Sequence, residues 1–269
     1  MAGGTTAPFG IDTTVPSTAR MYDWWLGGHD NFAADRAAAL AVSEAVPEVR
    51  VTAVENRKFL RRAVRYLAAE AGMVQFLDIG TGLPTQGNVH QVAQQVNPEA
   101  RVVYVDNDPM VLAHSRALKT GGNTAVIEAD LRDPAAILNH PRALELIDFR
   151  QPLAVLLVAV LHFIGSDDGP YGIVGSICEA LPPGSYVVLS HAMEGILRGD
   201  SAGKVEEQYK QNVASGATLR DRNEILRFFT GLELIEPGLV QVPDWRPDEP
   251  GSPDADRVWM LGGIGRKPG

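Results

Sequence analysis

The chain has 269 residues, 45% of them hydrophobic, which suits one large α/β domain burying roughly three quarters of its unfolded surface. Thirty-three acids against 24 bases leave a net charge of -9, which speaks against a nucleic-acid partner. The single cysteine, Cys178, excludes a disulfide framework and fits a reducing cytoplasm, and the longest apolar run, Leu153 to Leu161, is far short of the roughly 20 residues that span a bilayer.

Residues 1–15 are rich in Gly, Thr, Ala and Pro, without a basic start or an apolar centre, and read as a flexible tail rather than a signal peptide. Residues 16–70 then read as a helical cap. It opens on a stretch from Ala19 to Phe32 that packs Tyr22, Trp24, Trp25 and Phe32 around a Gly27-Gly28 turn. These aromatics suit either core filling or a lid over a ligand. His29 and Asp30 lack a second cluster at ligand spacing, so no metal site is expected. Asp30 or Asn31 is placed to cap a helix over 33–46, stopped at Pro47. A second helix, 51–70, repeats apolar residues at helical spacing and carries Arg57, Arg61 and Arg65 as a stripe. That stripe reads as a solvated face, with Arg57 kept open as an exception.

Residues 71–269 read as an open α/β sheet. The first strand, from Val74, ends in Asp78-Ile79-Gly80-Thr81-Gly82, an acid followed by two glycines where backbone must turn tightly and let a ligand approach. Pro84 suits a first helical position, predicting a helix over 85–96 whose N-terminus faces the ligand. The second strand, Arg101 to Asp106, brings an acid to its carboxyl end 24 residues past Gly82, the place from which ribose hydroxyls are held. Asn107 and Asp108 read as turn and cap residues before Pro109. The third strand, from Thr124, ends at Asp130-Leu131.

Leu153 to Phe163 has the continuous apolar character of a strand buried on both faces, and it delivers His162 to the sheet edge. A helix over 171–181 leads to a fifth strand, Ser185 to Ser190, exiting at His191. Residues 195–216 read as an inserted helical cap with Val205, Tyr209 and Val213 on one face. Thr218 and Asp221 suggest a capping box. Leu232 to Val242 and Arg257 to Ile264 read as a closing antiparallel pair. The expected fold is therefore a Rossmann-like seven-stranded, mostly parallel sheet with helices on both faces, an N-terminal helical lid and a C-terminal hairpin.

Asp78-x-Gly80-x-Gly82 resembles motif I of the class I methyltransferases that use S-adenosylmethionine (SAM). The longer string from Asp78 to His90, with Tyr22-Asp23, Leu26-Gly27-Gly28 and Asp30-Asn31-Phe32 upstream, is similar to one bacterial branch of them, formerly a domain of unknown function and later named S-adenosyl methyltransferase. The resemblance implies SAM as cofactor and a small-molecule acceptor. It implies a lid containing Tyr22, Gly27, Gly28 and Asn31, and cofactor contacts from Asp78, Gly80, Thr81, Gly82, Asp106 and Asn107. Asp130 and the Leu131 backbone are implied beside the adenine. His162 is implied next to the transferable methyl. An oxygen acceptor would call for a base, with His162 and His191 as candidates, whereas an amine or a carboxylate would need none. Two rivals stand beside this reading: a non-catalytic SAM-binding sensor, and an NAD-dependent oxidoreductase, against which Asp78 and Thr85 weigh.

Overall fold

The computed structural model describes residues 11–84, 87–117, 122–194, 201–212, 216–249, 251 and 255–269. Three helices come first, α1 (Thr18–Trp25), α2 (Ala33–Ala45) and α3 (Val49–Ala69). Alternating strands and helices follow: β1 (Gln75–Ile79), α4 (Val89–Val96), β2 (Arg101–Asp106), α5 (Pro109–Ala117), β3 (Thr124–Glu128), α6 (Pro134–Leu138), α7 (Pro141–Leu146), β4 (Ala154–Val158), α8 (Pro170–Ala180) and β5 (Tyr186–Ala192). The chain closes with α9 (Ser201–Asn212), α10 (Arg222–Arg227), β6 (Glu233–Leu234), β7 (Val240–Gln241) and β8 (Met260–Arg266).

The sheet runs β3-β2-β1-β4-β5-β8-β6, parallel through its first five strands, with β8 antiparallel to β5. The expected class holds, with one correction. The last position is not a single strand from 232 to 242, because β6 and β7 each contribute two residues that pair separately with β8. Eight strands thus occupy seven positions.

Successive strand residues point to opposite faces and build two cores. Phe76, Val102, Ala154, Leu156 and Val188 meet α3 and the N-terminal helices on one face. Leu77, Val103, Val155, Leu157 and Leu189 meet α8 and α10 on the other. β4 is apolar throughout because both of its faces are covered. Trp25 belongs to the first core, where its Nε1–H donates to Ser43 Oγ (3.1 Å), so this tryptophan is packing rather than lid surface.

Several expected caps move. The cap position of α2 is Phe32, whose N–H donates to Asp35 Oδ2 (2.7 Å), and neither Asp30 nor Asn31 occupies it. α4 starts at Val89 rather than 85, because Gln91 Oε1 reaches back to the N–H groups of Gly87 and Asn88. Thr85 and Gln86 lie outside the described residues. The capping box of α10 joins Asp221 to Glu224, each accepting the other's backbone N–H, while the Thr218 N–H donates to His162 O. In the 195–216 segment α9 buries Tyr209 against Phe163 (ring centroids 5.6 Å apart). The Val205 side chain and Val213 lie outside the described residues.

Candidate functional site

The carboxyl ends of β1, β2, β3 and β4 open into one cavity of about 400 Å³, walled on the opposite side by residues 11–26 and by α3. Ile11, Asp12 and Val15 line it, so the N-terminal stretch is part of the site from at least Ile11 onward.

Gly80 shows why the β1 turn carries glycine. Its φ is +73° and a Cβ there would sit 2.4 Å from Val160 Cγ2, so any side chain would both strain the backbone and fill the cavity floor. The Thr81 hydroxyl donates to Asp78 Oδ2 (3.0 Å). Burial pushes the Asp78 carboxyl up to about 6, with the Thr81 hydrogen bond and Arg57 opposing that shift. Asp106, at the end of β2, accepts from Gly82 N–H (2.8 Å) and Asp108 N–H (2.9 Å), and it too is raised by burial. The Asn107 N–H adds a further backbone donor, and the carboxylate still has acceptor capacity left over for a hydroxyl. At the end of β3, Asp130 accepts from Asn107 Nδ2 (3.1 Å) and from Arg132. Burial works to raise its carboxyl, but these donors together hold it below the usual range. Leu131 lies beside it on the cavity wall.

The opposite wall comes from α1 and α3. Ala19, Tyr22, Asp23 and Leu26 form the inward stripe of α1. The Tyr22 hydroxyl donates to Ala53 O (3.0 Å) and accepts from Asn56 Nδ2 (2.9 Å). Asp23 is buried and raised by that burial, and its Oδ2 accepts from Asp30 N–H (3.0 Å) and Asn31 Nδ2 (2.8 Å). Gly27, Gly28 and Asn31 do not line the cavity; they shape the loop that holds Asp23. A Cβ on Gly28 would lie 1.9 Å from Asp23 Oδ1, and Gly27 takes φ +82° at the end of α1. Arg57 faces the cavity with its Nε buried and, among the described residues, without a hydrogen-bond partner, while another guanidinium N–H donates to Asn88 Oδ1 (3.0 Å). The N-terminus of α4, expected to face the ligand, does not line the cavity, whereas Arg57 does.

The two histidines are not brought to the cavity. Beyond β4 the chain turns at Ala159 into a short 3-10 turn, Leu161–Phe163, which rotates His162 inward. Its imidazole is buried, lies 5.6 Å from the His191 ring, and burial followed by the Arg220 charge lowers it to about 3. His191 is fully buried within β5, one step before the strand ends. Its Nε2 must accept from an Arg220 guanidinium N–H (2.8 Å), since Arg220 has only donors, which leaves Nδ1–H to donate to Ala192 O (2.7 Å). With its basic nitrogen engaged and its pKa lowered well below the ordinary value, chiefly by burial, His191 is an acceptor for a buried guanidinium and not a free base. Arg220 also donates to Leu161 O and Ile164 O, so it fastens the turn after β4. Among the described residues no three metal-ligating side chains stand together, and no helix is long and apolar enough to cross a membrane.

A cradle that a Cβ would fill, acids at successive strand ends, and a buried arginine donor without a partner suit a ligand that carries an adenosine and an amino acid. A model of the S-adenosyl methyltransferase family matches residues 4–268. The chain belongs to the S-adenosyl methyltransferase family. It is accordingly a methyltransferase with SAM as its cofactor. A crystal structure of a "putative methyltransferase" from Thermobifida fusca YX superposes with a TM-score of 0.92 at 47% identity, covering 98% of this chain and all (100%) of that one. A DUF574 family protein from Streptomyces avermitilis MA-4680 gives 0.91 at 42% identity, over 96% and 99% of the two chains. An O-methyltransferase family protein from Burkholderia thailandensis, at 15% identity and a TM-score of 0.56, covers 94% of this chain and 64% of that one and shares the fold alone. Among curated proteins nothing matches the sequence.

Proposed function

We propose that the enzyme methylates a small-molecule acceptor, that the cofactor lies across the ends of β1, β2 and β3, and that no histidine acts as base. The Gly80 cradle carries this reading, because a Cβ there would close the cavity against Val160. Asp106 takes the ribose hydroxyls on its remaining lone pairs, while Asp130 and Leu131 border the adenine. Asp78 and Arg57 bracket the amino-acid end, with the carboxylate of Asp78 holding an ammonium and the guanidinium of Arg57 a carboxylate. SAM contributes an electrophilic methyl on a sulfonium. The chain's own task is to orient the acceptor and exclude water around it.

The acceptor enters on the α1 and α3 side, where Tyr22, Leu26, Leu60 and Phe163 present mostly apolar surface around the Asp23 carboxylate. Asp23, raised by burial, is the group there able to hold an acceptor's N–H or O–H. His162 and His191 carry packing and the turn after β4. The supporting measurements are cofactor binding and label transfer. SAM at about 100 times its dissociation constant should stabilise the fold by roughly 2.7 kcal/mol, with NAD inert. Label from methyl-labelled SAM should appear in the low-molecular-weight fraction of a cell extract. Stabilisation by NAD alone would overturn the cofactor placement, and label confined to macromolecules would overturn the acceptor class.

A further inference from the structure

Ala159 sits at the cavity wall in the left-handed region, with φ +56°. An alanine keeps that conformation only where its surroundings over-determine it. The restraint is a chain of hydrogen bonds that all run one way. The Ala159 N–H is shared between Ser190 Oγ (3.0 Å) and Ser190 O (3.2 Å), of which only the first belongs to a side chain; the Ser190 hydroxyl donates to Asn56 Oδ1 (2.7 Å), Asn56 Nδ2 to the Tyr22 hydroxyl (2.9 Å), and that hydroxyl to Ala53 O (3.0 Å). Ser190 and Asn56 are buried at 0% and 2% exposure, so each polar group has no water to replace a lost partner. Every rotor in the chain is set: reversing one member would leave two donors or two acceptors facing.

The chain starts at the turn after β4 and ends on α3, passing through a lid residue of α1. Its first member holds the backbone next to Val160, whose side chain lies against Gly80. With the ribose over β2 and the amino-acid end at Asp78 and Arg57, the ligand's sulfur falls between β1 and β4, facing this turn. We infer that Ser190 and Asn56 are positioning residues that hold the Ala159 turn against the methyl-bearing end of the cofactor and tie that wall to Tyr22 of the lid. The inference rests on the cofactor placement proposed above.

SAM and its demethylated product, S-adenosylhomocysteine, differ only in the methyl and the sulfonium charge. The ratio of their affinities therefore reports the wall around the methyl and cancels a general loosening of the site. The experiment is calorimetric titration of the full chain with both compounds, for the parent, Ser190→Ala, Tyr22→Phe, and Ser190→Ala combined with Ala159→Gly. Ser190→Ala should shift the ratio by roughly 2- to 10-fold against SAM, the net worth of one hydrogen bond, and Tyr22→Phe should shift it in the same direction. Ala159→Gly adopts the left-handed backbone without Ser190 and should bring the ratio back toward the parent value. An unchanged ratio in both single variants, even with a lower melting temperature, would reduce the chain to packing and overturn the inference. A Ser190 effect without a Tyr22 effect would overturn the tie to the lid. A parent that binds neither compound would instead remove the cofactor placement, a result separable from the others because it is read before any variant is made.

Discussion

The two halves of the sheet edge treat their polar residues in opposite ways. At the ends of β1, β2 and β3, Asp78, Asp106 and Asp130 all face the cavity and keep acceptor capacity for a ligand. At the ends of β4 and β5, His162 and His191 turn away and are buried around Arg220. On the first side the acids stand at or within two residues of the strand ends and line the cavity. On the second the chain turns at Ala159, and the short 3-10 turn rotates the next side chain into the core. A residue's position in sequence after a strand thus predicts ligand contact only where the exit turn is known.

Four measurements can break or sharpen that contrast. Gly80→Val should have the largest effect, lowering SAM affinity at least about 100-fold, because a β-branched residue at positive φ is strained and the side chain would fill the cradle. Binding like the parent's would mean the cavity floor is not where the ligand lies. Arg57→Met should lower affinity by roughly 10- to 150-fold, the worth of hydrogen bonds to a charged group, if it holds the ligand's carboxylate. A loss below about 2-fold would return Arg57 to the structural pair it makes with Asn88.

The third measurement is pH dependence. Asp78 is raised from 3.8 to about 6 in the folded, ligand-free chain, chiefly by burial. Its contribution to stability is therefore fully present below 3.8 and is lost as pH rises through about 6. Asp78→Asn should remove that part of the slope between those values, as read from melting temperatures of parent and variant. Cofactor affinity of the parent should rise through the same window, since an ammonium needs the ionised carboxylate. An identical slope in both proteins would show that Asp106 and Asp23, also raised by burial, account for it.

The smallest effects on affinity belong to the histidines. His191→Leu and His162→Leu should both leave SAM affinity within about 2-fold, yet differ in stability. The first leaves a buried Arg220 donor short of a partner, costing about 1–3 kcal/mol and roughly 2–12 °C. The second removes an imidazole whose buried Nδ1 has no partner among the described residues, so stability should hold or rise. Turnover lost in His162→Leu, with affinity and stability intact, would return that histidine to the chemistry.

What could be seen in the sequence was local. Asp78, Gly80 and Gly82 announce a strand-to-ligand turn within five residues, and Asp106 follows from the strand that carries it. The parallel order followed from alternating apolar runs, and only the last position broke into two short pieces. Ser190 carried no comparable signal, and Asp23 was visible only within the upstream string from Tyr22 to Phe32, without a role of its own. Asp23 is organised by Gly28 and Asn31, which looked like ligand contacts themselves. Asn56 and Ser190 stand 134 positions apart and meet only because α3 crosses β5. Arg57 sat in a stripe whose neighbour Arg65 pairs at the surface with Asp248, and nothing in the spacing separated the two.

One helix serves both the core and the cavity. α3 sends Phe59, Ala63 and Leu67 into the hydrophobic core, and it sends Asn56, Arg57 and Leu60 to the cavity wall, with Leu60 counted in both. On the proposed acceptor placement, substitutions there would also alter how the sheet is covered, so specificity and stability would drift together along this helix. If the acceptor lies where proposed, diversification is easiest at Asp12 and Val15, which line the cavity ahead of the Ser17 hydrogen bonds and the buried Arg20–Asp35 pair. The divergence to look for between enzymes with different acceptors lies there, ahead of the first helix, and less in α3.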